Sequence, residues 1–126
     1  MHKLSAGGAM NIDKDLVAAM ATPLVLAILV EGKSYGYAIL KRVRELSSGD
    51  LEWTDGMLYP LLHRLDRLGF VMAEWDTSSE GRRRRYYQIT AAGTAQLADQ
   101  RRQWDTANRT LGGLWGLTIP AMGAGA

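Results

Sequence analysis

Four consecutive arginines at residues 82–85 are the most chemically distinctive feature of the sequence. A guanidinium group carries a planar fork of N–H donors that matches phosphate oxygens, and it also fits a narrow DNA minor groove. The run lies at the tip and return strand of a predicted hairpin, where alternate residues point to opposite faces. Arg83 and Arg85 are therefore expected on one side, and Arg82 and Arg84 on the other. A solvated basic loop is the alternative interpretation of the same run.

Arg82 and Arg84 are the favoured contacts within this run. Arg85 is in phase with Tyr87 and Ile89, which are expected to face the core, whereas Arg82 and Arg84 are out of phase with them. Arg83 is a further candidate. At least two of the arginines are expected to contact DNA, so that binding would weaken steeply with added salt.

A second group of candidates lies at the start of a predicted helix over residues 54–68. Thr54, Asp55 and Tyr59 fall in its first turns, and His63 and Arg64 follow one turn later. The amino-terminal end of a recognition helix is the part that reaches base edges and phosphates. Structural interpretations stay open beside this one: Thr54 as a helix cap, Tyr59 as a core ring and His63 as an ordinary surface residue.

Ser34 and Tyr35 open the preceding predicted helix, with Lys33 beside them. In a helix–turn–helix the first helix crosses the DNA backbone, and its amino-terminal amides attract an anion. We therefore expect Ser34 and Tyr35 to contact the backbone. Tyr37 is assigned to packing inside the protein.

The residues that enzymes and metal sites use are scarce or badly placed. The absence of cysteine excludes disulfides, thiolate metal sites and cysteine nucleophiles. The two histidines, His2 and His63, cannot make a metal site without distant carboxylates. No glycine-rich phosphate loop is present, and no serine has a base spaced to activate it. We predict no enzymatic activity, no cofactor and no bound metal.

The composition is that of one globular domain. The 126 residues are 47% hydrophobic, and 15 Lys and Arg against 13 Asp and Glu give a net charge of +2. This balance permits a nucleic-acid partner without requiring one. The longest strongly apolar run, residues 23–30, is far shorter than the roughly 18–20 residues of a membrane span. The first residues do not have the pattern of a signal peptide, and we expect a cytoplasmic protein with no membrane contact.

Periodicity predicts the order helix, helix, short strand, helix, strand, strand, helix. Thr22 and Pro23 are expected to start the first helix, and Ser34, Thr54 and Thr90 to cap the later ones. The predicted helices cover residues 23–30, 35–47, 54–68 and 91–111, and the strands cover residues 51–53, 71–76 and 85–89. A helix–turn–helix followed by a hairpin is the winged-helix arrangement. The predicted fold class is therefore α+β, mostly α: a winged helix-turn-helix with an added C-terminal dimerisation helix.

The chain is divided as follows. Residues 1–9 are expected to be a leader or expression remnant without order, and residues 10–90 the winged-helix DNA-binding domain with an N-terminal helical segment. Residues 91–115 are expected to form the dimerisation helix, and residues 116–126 a flexible tail.

The last helix carries an apolar seam at alternating spacings of three and four residues. This seam is longer and more apolar than one small subunit would cover, which predicts pairing with the same helix of a second copy. The alternative is a helix that lies on its own domain with Trp104 in the core. The seam residues are Leu97, Gln100, Trp104, Ala107, Leu111 and Leu114.

Trp104 also has a ligand-binding interpretation. A flat aromatic molecule stacking between two indoles across a dimer would be well matched to them. Packing of the dimer alone is the alternative, and the residues leave both open.

Three motifs resemble the PadR family of bacterial transcriptional regulators. Residues 58–69, LYPLLHRLDRLG, are similar to the family's LYP-x-L-x-x-L-E-x-x-G signature, with Asp66 where Glu is usual. Residues 83–90, RRRYYQIT, resemble its R-R-x-Y-Y-x-L-T element, and residues 35–37 match the aromatic-glycine opening of its second helix. The resemblance covers residues 22–110 and places Trp104 where a multidrug-sensing branch has a dimer-interface tryptophan. It implies a homodimer, operator binding, usually repression, and sometimes release by a small aromatic or cationic ligand.

Two other functions compete with this one. A winged-helix module can dimerise and bind protein or small molecules without specific DNA binding. A nucleoid-type protein binds DNA without regard to sequence. A mobility shift on genomic fragments separates a specific regulator from the interaction module, and preference for one site over competitor DNA separates it from the nucleoid-type protein.

Overall fold

The computed structural model describes residues 12–115, so the expected leader (1–9) and tail (116–126) lie outside the described residues. Four helices and a three-stranded antiparallel sheet form the winged-helix arrangement, which confirms the predicted fold class. The elements are α1 (Lys14–Val30), β1 (Ser34–Tyr35), α2 (Gly36–Leu46), α3 (Asp55–Arg67), β2 (Val71–Thr77), β3 (Arg83–Ile89) and α4 (Ala91–Trp115).

Helix α1 begins nine residues before the predicted start at Pro23, so that prediction was wrong. Asp13 caps the helix, its carboxylate accepting from the Asp15 N–H at 3.0 Å. Val17 and Met20 pack against the core in the segment before Pro23. This tertiary packing keeps the segment helical although the Thr-Pro pair is a local helix-start signal.

The third strand of the sheet is β1, not the predicted strand at residues 51–53. Ser34 and Tyr35 pair antiparallel with Tyr87 and Tyr86, which gives the strand order β1-β3-β2. The alternation at residues 51–53 reflects burial without strand pairing: two apolar side chains enter the core on either side of an exposed Glu52. Helix α2 accordingly begins after Tyr35, which is its N-cap without a side-chain hydrogen bond, and the predicted cap at Ser34 was wrong.

Helix α3 supplies the centre of the core, as its leucine spacing predicts. Thr54 occupies the N-cap position, although its side chain makes no capping hydrogen bond. Leu68 continues the same leucine spacing but is 56% exposed, because the helix ends one residue earlier. Gly69 at φ +83° then turns the chain into β2. The buried leucines of α3 are Leu58, Leu61, Leu62 and Leu65.

Strands β2 and β3 form the predicted hairpin, here called the wing. Its register runs from Val71 opposite Ile89 to Thr77 opposite Arg83. The turn is closed by the Ser78 N–H donating to the Arg82 carbonyl at 2.7 Å. Strand β3 therefore starts two residues earlier than predicted.

Helix α4 is fixed to the base of the wing. The Thr90 hydroxyl donates to the Gly69 carbonyl at 2.7 Å and accepts from the Gly93 N–H at 3.0 Å, which confirms Thr90 as the cap. Gly93 is buried, and a Cβ there would overlap the Phe70 carbonyl oxygen and lie 2.8 Å from Ile89 Cγ1. The helix ends at Trp115, four residues beyond the end predicted by periodicity and at the end of the segment assigned to the dimerisation helix. Between residues 12 and 115, no helix is long and apolar enough to cross a membrane.

Candidate nucleic-acid interface

Helix α3, the start of α2 and the tip of the wing enclose a groove of about 640 Å³. Every residue that lines it is aromatic, cationic, histidine or glycine, and none is a carboxylate. The lining residues are Tyr35, Gly36, Tyr37, Tyr59, His63, Trp75, Arg82, Arg83, Arg84, Arg85 and Tyr87. Four separate stretches of the chain thus converge on one concave, positively charged surface: residues 35–37, 59–63, 75 and 82–87.

Tyr59 projects from α3 onto the beginning of α2. A Cβ at Gly36 would overlap the Tyr59 hydroxyl and lie 2.6 Å from its Cζ, so only glycine allows this approach. Burial raises the pKa of Tyr59, and the nearby charges of Asp55 and Tyr87 raise it further. The hydroxyl is therefore protonated at neutral pH and is able to donate a hydrogen bond to an anion. The ring is still 36% exposed, so it is not the core ring of the alternative interpretation.

The other candidates on α3 divide between two surfaces. His63 is exposed and lines the groove. Thr54, Asp55 and Arg64 are exposed as well but do not line it. The Arg64 guanidinium donates to the Thr22 hydroxyl at 3.4 Å, which directs it toward α1.

Trp75 holds two of the wing arginines. The guanidinium carbons of Arg83 and Arg85 lie 4.9 Å and 5.5 Å from the centre of its ring. The two arginines share one side of the hairpin, as strand alternation predicts. Tyr87, which is 2% exposed, lies on the same face of β3 as Arg85. Toward the tip of the wing, this face lines the groove. Arg85 therefore lines the groove although it is in phase with the buried Tyr87, which was the reason for favouring Arg82 and Arg84 as DNA contacts.

Arg84, on the other side of the hairpin, stacks on Tyr35. Its guanidinium carbon lies 4.1 Å from the centre of the Tyr35 ring, and a terminal nitrogen lies 3.5 Å from a carboxylate oxygen of Glu80. Tyr35 in turn meets the Tyr86 ring edge-on, with 5.5 Å between centres. Ser34 is half-buried within β1 and does not line the groove.

Tyr37 was assigned to packing, and the structure shows otherwise. Its side chain is 63% exposed and lines the groove. Besides Tyr37, four residues that line the groove were not among the candidate contacts: Gly36, Trp75, Arg85 and Tyr87. Trp75 could have been identified from its position across the predicted hairpin from the arginine run. In the structure, residues 75 and 85 pair across the two strands.

The carboxylates of β2 face away from the groove. Lys33 binds Asp76 at 3.1 Å and approaches Glu74 at 3.9 Å on the outer face of the wing. The hydrogen bond from Lys33 lowers the pKa of Asp76, and the same bond raises the pKa of Lys33. Because Trp75 lies between these two acidic residues, alternation places it on the groove side and both of them on the outer face. The groove face of the wing therefore has uncompensated positive charge.

The predicted seam residues of α4 lie in two different environments. Leu97 packs against the core, and Trp104 is half-buried beside α1. Gln100 is half-buried, and its side-chain oxygen has no hydrogen-bond partner within the described part of the chain. The later seam residues point to solvent: Ala107 is exposed, Leu111 is 43% exposed and Leu114 is 80% exposed.

An apolar groove of about 520 Å³ lies between α1 and α4. Leu24 and Ala27 form one wall, and Leu97 and Trp104 form the other, with Arg101 on its lining. The helix thus lies partly on its own domain and leaves apolar surface uncovered. Among residues 12–115, no group of three or more His, Asp or Glu side chains is placed to hold a metal ion.

Comparisons with known proteins agree with this geometry. The chain matches the model of the family described as "Transcriptional regulator PadR-like family" over residues 25–99. A transcriptional regulator of Mycobacterium tuberculosis, Rv3488, is 41% identical over 71 residues, which are 56% of this chain and 65% of that protein.

Solved structures show the same fold. A PadR family transcriptional regulator from Eggerthella lenta is 30% identical with a TM-score of 0.68, covering 82% of this chain and 88% of that chain. A PadR-like transcriptional regulator from Bacillus cereus, 24% identical, has a TM-score of 0.74 and covers 83% of this chain and 100% of that chain. The family match spans the helix–turn–helix, the wing and the start of α4, and the chain belongs to the PadR-like family of transcriptional regulators.

Proposed function

We propose that this chain is a cytoplasmic repressor that binds operator DNA as a homodimer. The observation that carries the proposal is the groove between α3 and the wing, whose lining has four arginines and no carboxylate. A concave surface of this kind concentrates a polyanion. In this arrangement α3 reads the major groove, and the wing holds the DNA backbone or the minor groove.

The proposed contacts fall into three sets. Tyr59, His63 and the arginines at 82–85 act inside the groove, where Tyr59 donates its hydroxyl to a phosphate. Thr54, Asp55 and Arg64 act from the exposed start and outer side of α3. Ser34 and Tyr35 remain proposed backbone contacts at the edge of the sheet, although Tyr35 already supports Arg84.

The dimer is proposed to form through α4. Leu111 and Leu114 are exposed on a long helix whose seam residues up to Trp104 are half-buried, and a second copy would cover them. Two half-sites about 34 Å apart on one face of the duplex would then be read together. In this division residues 10–90 bind DNA and residues 91–115 join the subunits.

We also propose that a small ligand releases the DNA. The apolar groove beside Trp104 suits a flat aromatic molecule. Arg101 on its lining favours an aromatic or anionic ligand over a cationic one. Such a ligand acts only if it binds one arrangement of the two subunits better than another.

The decisive experiment is a mobility shift with fragments taken from the DNA upstream of the chain's own gene, followed by footprinting of any shifted fragment. A specific regulator prefers its site over random competitor DNA by about 10³ or more. Binding that random DNA competes away equally would indicate a nucleoid-type protein. No shift at low salt would leave the winged-helix interaction module as the better function.

A further inference from the structure

We propose that Trp75 is a positioning residue for DNA binding, one that holds Arg83 and Arg85 toward the duplex. This inference rests on the proposed DNA-binding function and adds a role for a residue outside the recognised motifs. Its basis is the pair of guanidinium groups at 4.9 Å and 5.5 Å from one indole ring.

The indole is not held by the core. Trp75 is 54% exposed at the open end of the wing, on the side that lines the groove with Tyr59 and His63. A large aromatic ring left this exposed contributes little to folding of the domain. Its contacts are instead with side chains that carry charge.

Arg83 and Arg85 have no competing partner. Among residues 12–115, neither forms an ion pair within 4.0 Å, whereas Arg84 on the other side is paired with Glu80 at 3.5 Å. The acidic neighbours of Trp75, Glu74 and Asp76, face the opposite side and bind Lys33. The cation–π contact is therefore what fixes the direction of these two arginines.

Stacking is compatible with binding DNA. An arginine that packs on an aromatic face keeps its fork of N–H donors for phosphate oxygens. Ordering a long side chain is a cost of association, and a side chain already ordered in the free protein does not incur it again. Trp75 would thus lower the cost of binding without touching the DNA.

The test is a double-mutant cycle with fluorescence anisotropy on a footprinted duplex of about 30 base pairs, long enough for two half-sites one turn apart. Trp75→Ala is expected to weaken binding about fivefold to tenfold, and Trp75→Phe by no more than about twofold, because phenylalanine keeps an aromatic face. Met72→Ala, an exposed position on the outer face of the same strand, is the matched control and should leave affinity unchanged.

The cycle distinguishes positioning from direct contact. In an Arg83→Ala/Arg85→Ala background, Trp75→Ala is expected to cause no further loss, because the groups it positions are gone. A full additional loss there would overturn the inference and make Trp75 a DNA contact. Unchanged or tighter binding by Trp75→Ala in the wild-type background would overturn it as well.

A measurement on the free protein separates this inference from the proposed function. The side-chain NMR signals of Arg83 and Arg85 should carry ring-current shifts that disappear in Trp75→Ala. Shifts that are absent in the wild type would overturn the inference while DNA binding stands. Failure of the wild type to bind any duplex would overturn the proposed function, and the positioning role with it.

Discussion

The Tyr59 hydroxyl lies against the backbone of Gly36, at the residue where α2 begins. This contact joins the two helices of the helix–turn–helix at the edge of the groove. It depends on the absence of a side chain at Gly36, and it sets the direction in which the Tyr59 hydroxyl points.

Gly36→Ala is expected to push Tyr59 out of place. Tyr59 is partly exposed and has room to move, so we expect a modest loss of about 1 kcal/mol in unfolding free energy. The DNA affinity should fall about tenfold, which is a larger change in free energy, because the Tyr59 hydroxyl no longer points in its original direction. In a Tyr59→Ala background the stability cost of Gly36→Ala should vanish, and a cost that persists would show that Tyr59 is not its cause.

Gly93→Ala is expected to destabilise the protein by about 1–3 kcal/mol. The new methyl group would overlap the Phe70 carbonyl oxygen, which is backbone and cannot rotate away. Gly112→Ala, in the same helix with no atom within 4 Å of its Cβ position, is the matched control. It should leave stability unchanged or raise it by up to about 1 kcal/mol. Chemical denaturation of both variants measures the difference, and equal effects would contradict the close packing at Gly93.

The contact between Lys33 and Asp76 is expected to make wing stability depend on pH. The hydrogen bond from Lys33, and then that from the Thr77 N–H, lowers the pKa of Asp76, so the stabilisation is present above the ordinary carboxyl pKa of about 3.9 and is lost as pH falls through the lowered value. The pKa of Lys33 is raised, so the stabilisation is complete below the ordinary lysine value of about 10.4 and is lost as pH rises through the raised value.

Thermal unfolding of wild type and Asp76→Asn across pH measures this contribution. The wild type should be slightly the more stable across the neutral range, and the difference should disappear in strong acid and in strong base. Met72→Ala, an exposed uncharged residue on the same strand, is the control and should keep the wild-type pH profile. A difference that does not change with pH would contradict the ionic contact.

Arg82→Ala/Arg84→Ala is expected to flatten the salt dependence of DNA binding. Each phosphate contact that is lost should reduce the slope of log K against log salt by about 0.9. Arg102→Ala on α4, where the guanidinium pairs with Asp99 at 3.1 Å, is the control for the loss of a cation elsewhere. An unchanged slope in the double variant would remove these two arginines from the interface.

If two copies pair through α4 as proposed, Leu111→Asp/Leu114→Asp is expected to separate them into single subunits. Both side chains are exposed on α4, and the fold of the domain does not need them. Sedimentation should show the change in mass, while circular dichroism stays that of the wild type. Arg109→Asp on another face of the helix is the control. A double variant that sediments like the wild type would place the dimer contact elsewhere.

Features that repeat along the chain were predictable from the sequence. The leucine spacing of α3 and the alternation of the wing identified the fold, and Thr90 marked the start of α4. The start of α1 and the pairing of Ser34 and Tyr35 with β3 were not predictable, because contacts with residues far along the chain decide them. The stacking of Arg83 and Arg85 on Trp75 is of the same kind, since it requires the hairpin register.

The tight junction at Thr90 has a mechanical consequence. A single residue separates the last strand from α4, and hydrogen bonds and close packing hold both sides of it. No flexible linker separates β3 from α4, so a change in the tilt of α4 would also move the wing. If two copies pair through α4, the angle at which the two helices cross sets the distance between the two wings. A small change in that angle would alter the spacing between residues 82–85 of the two copies, which would then no longer match the helical repeat of DNA.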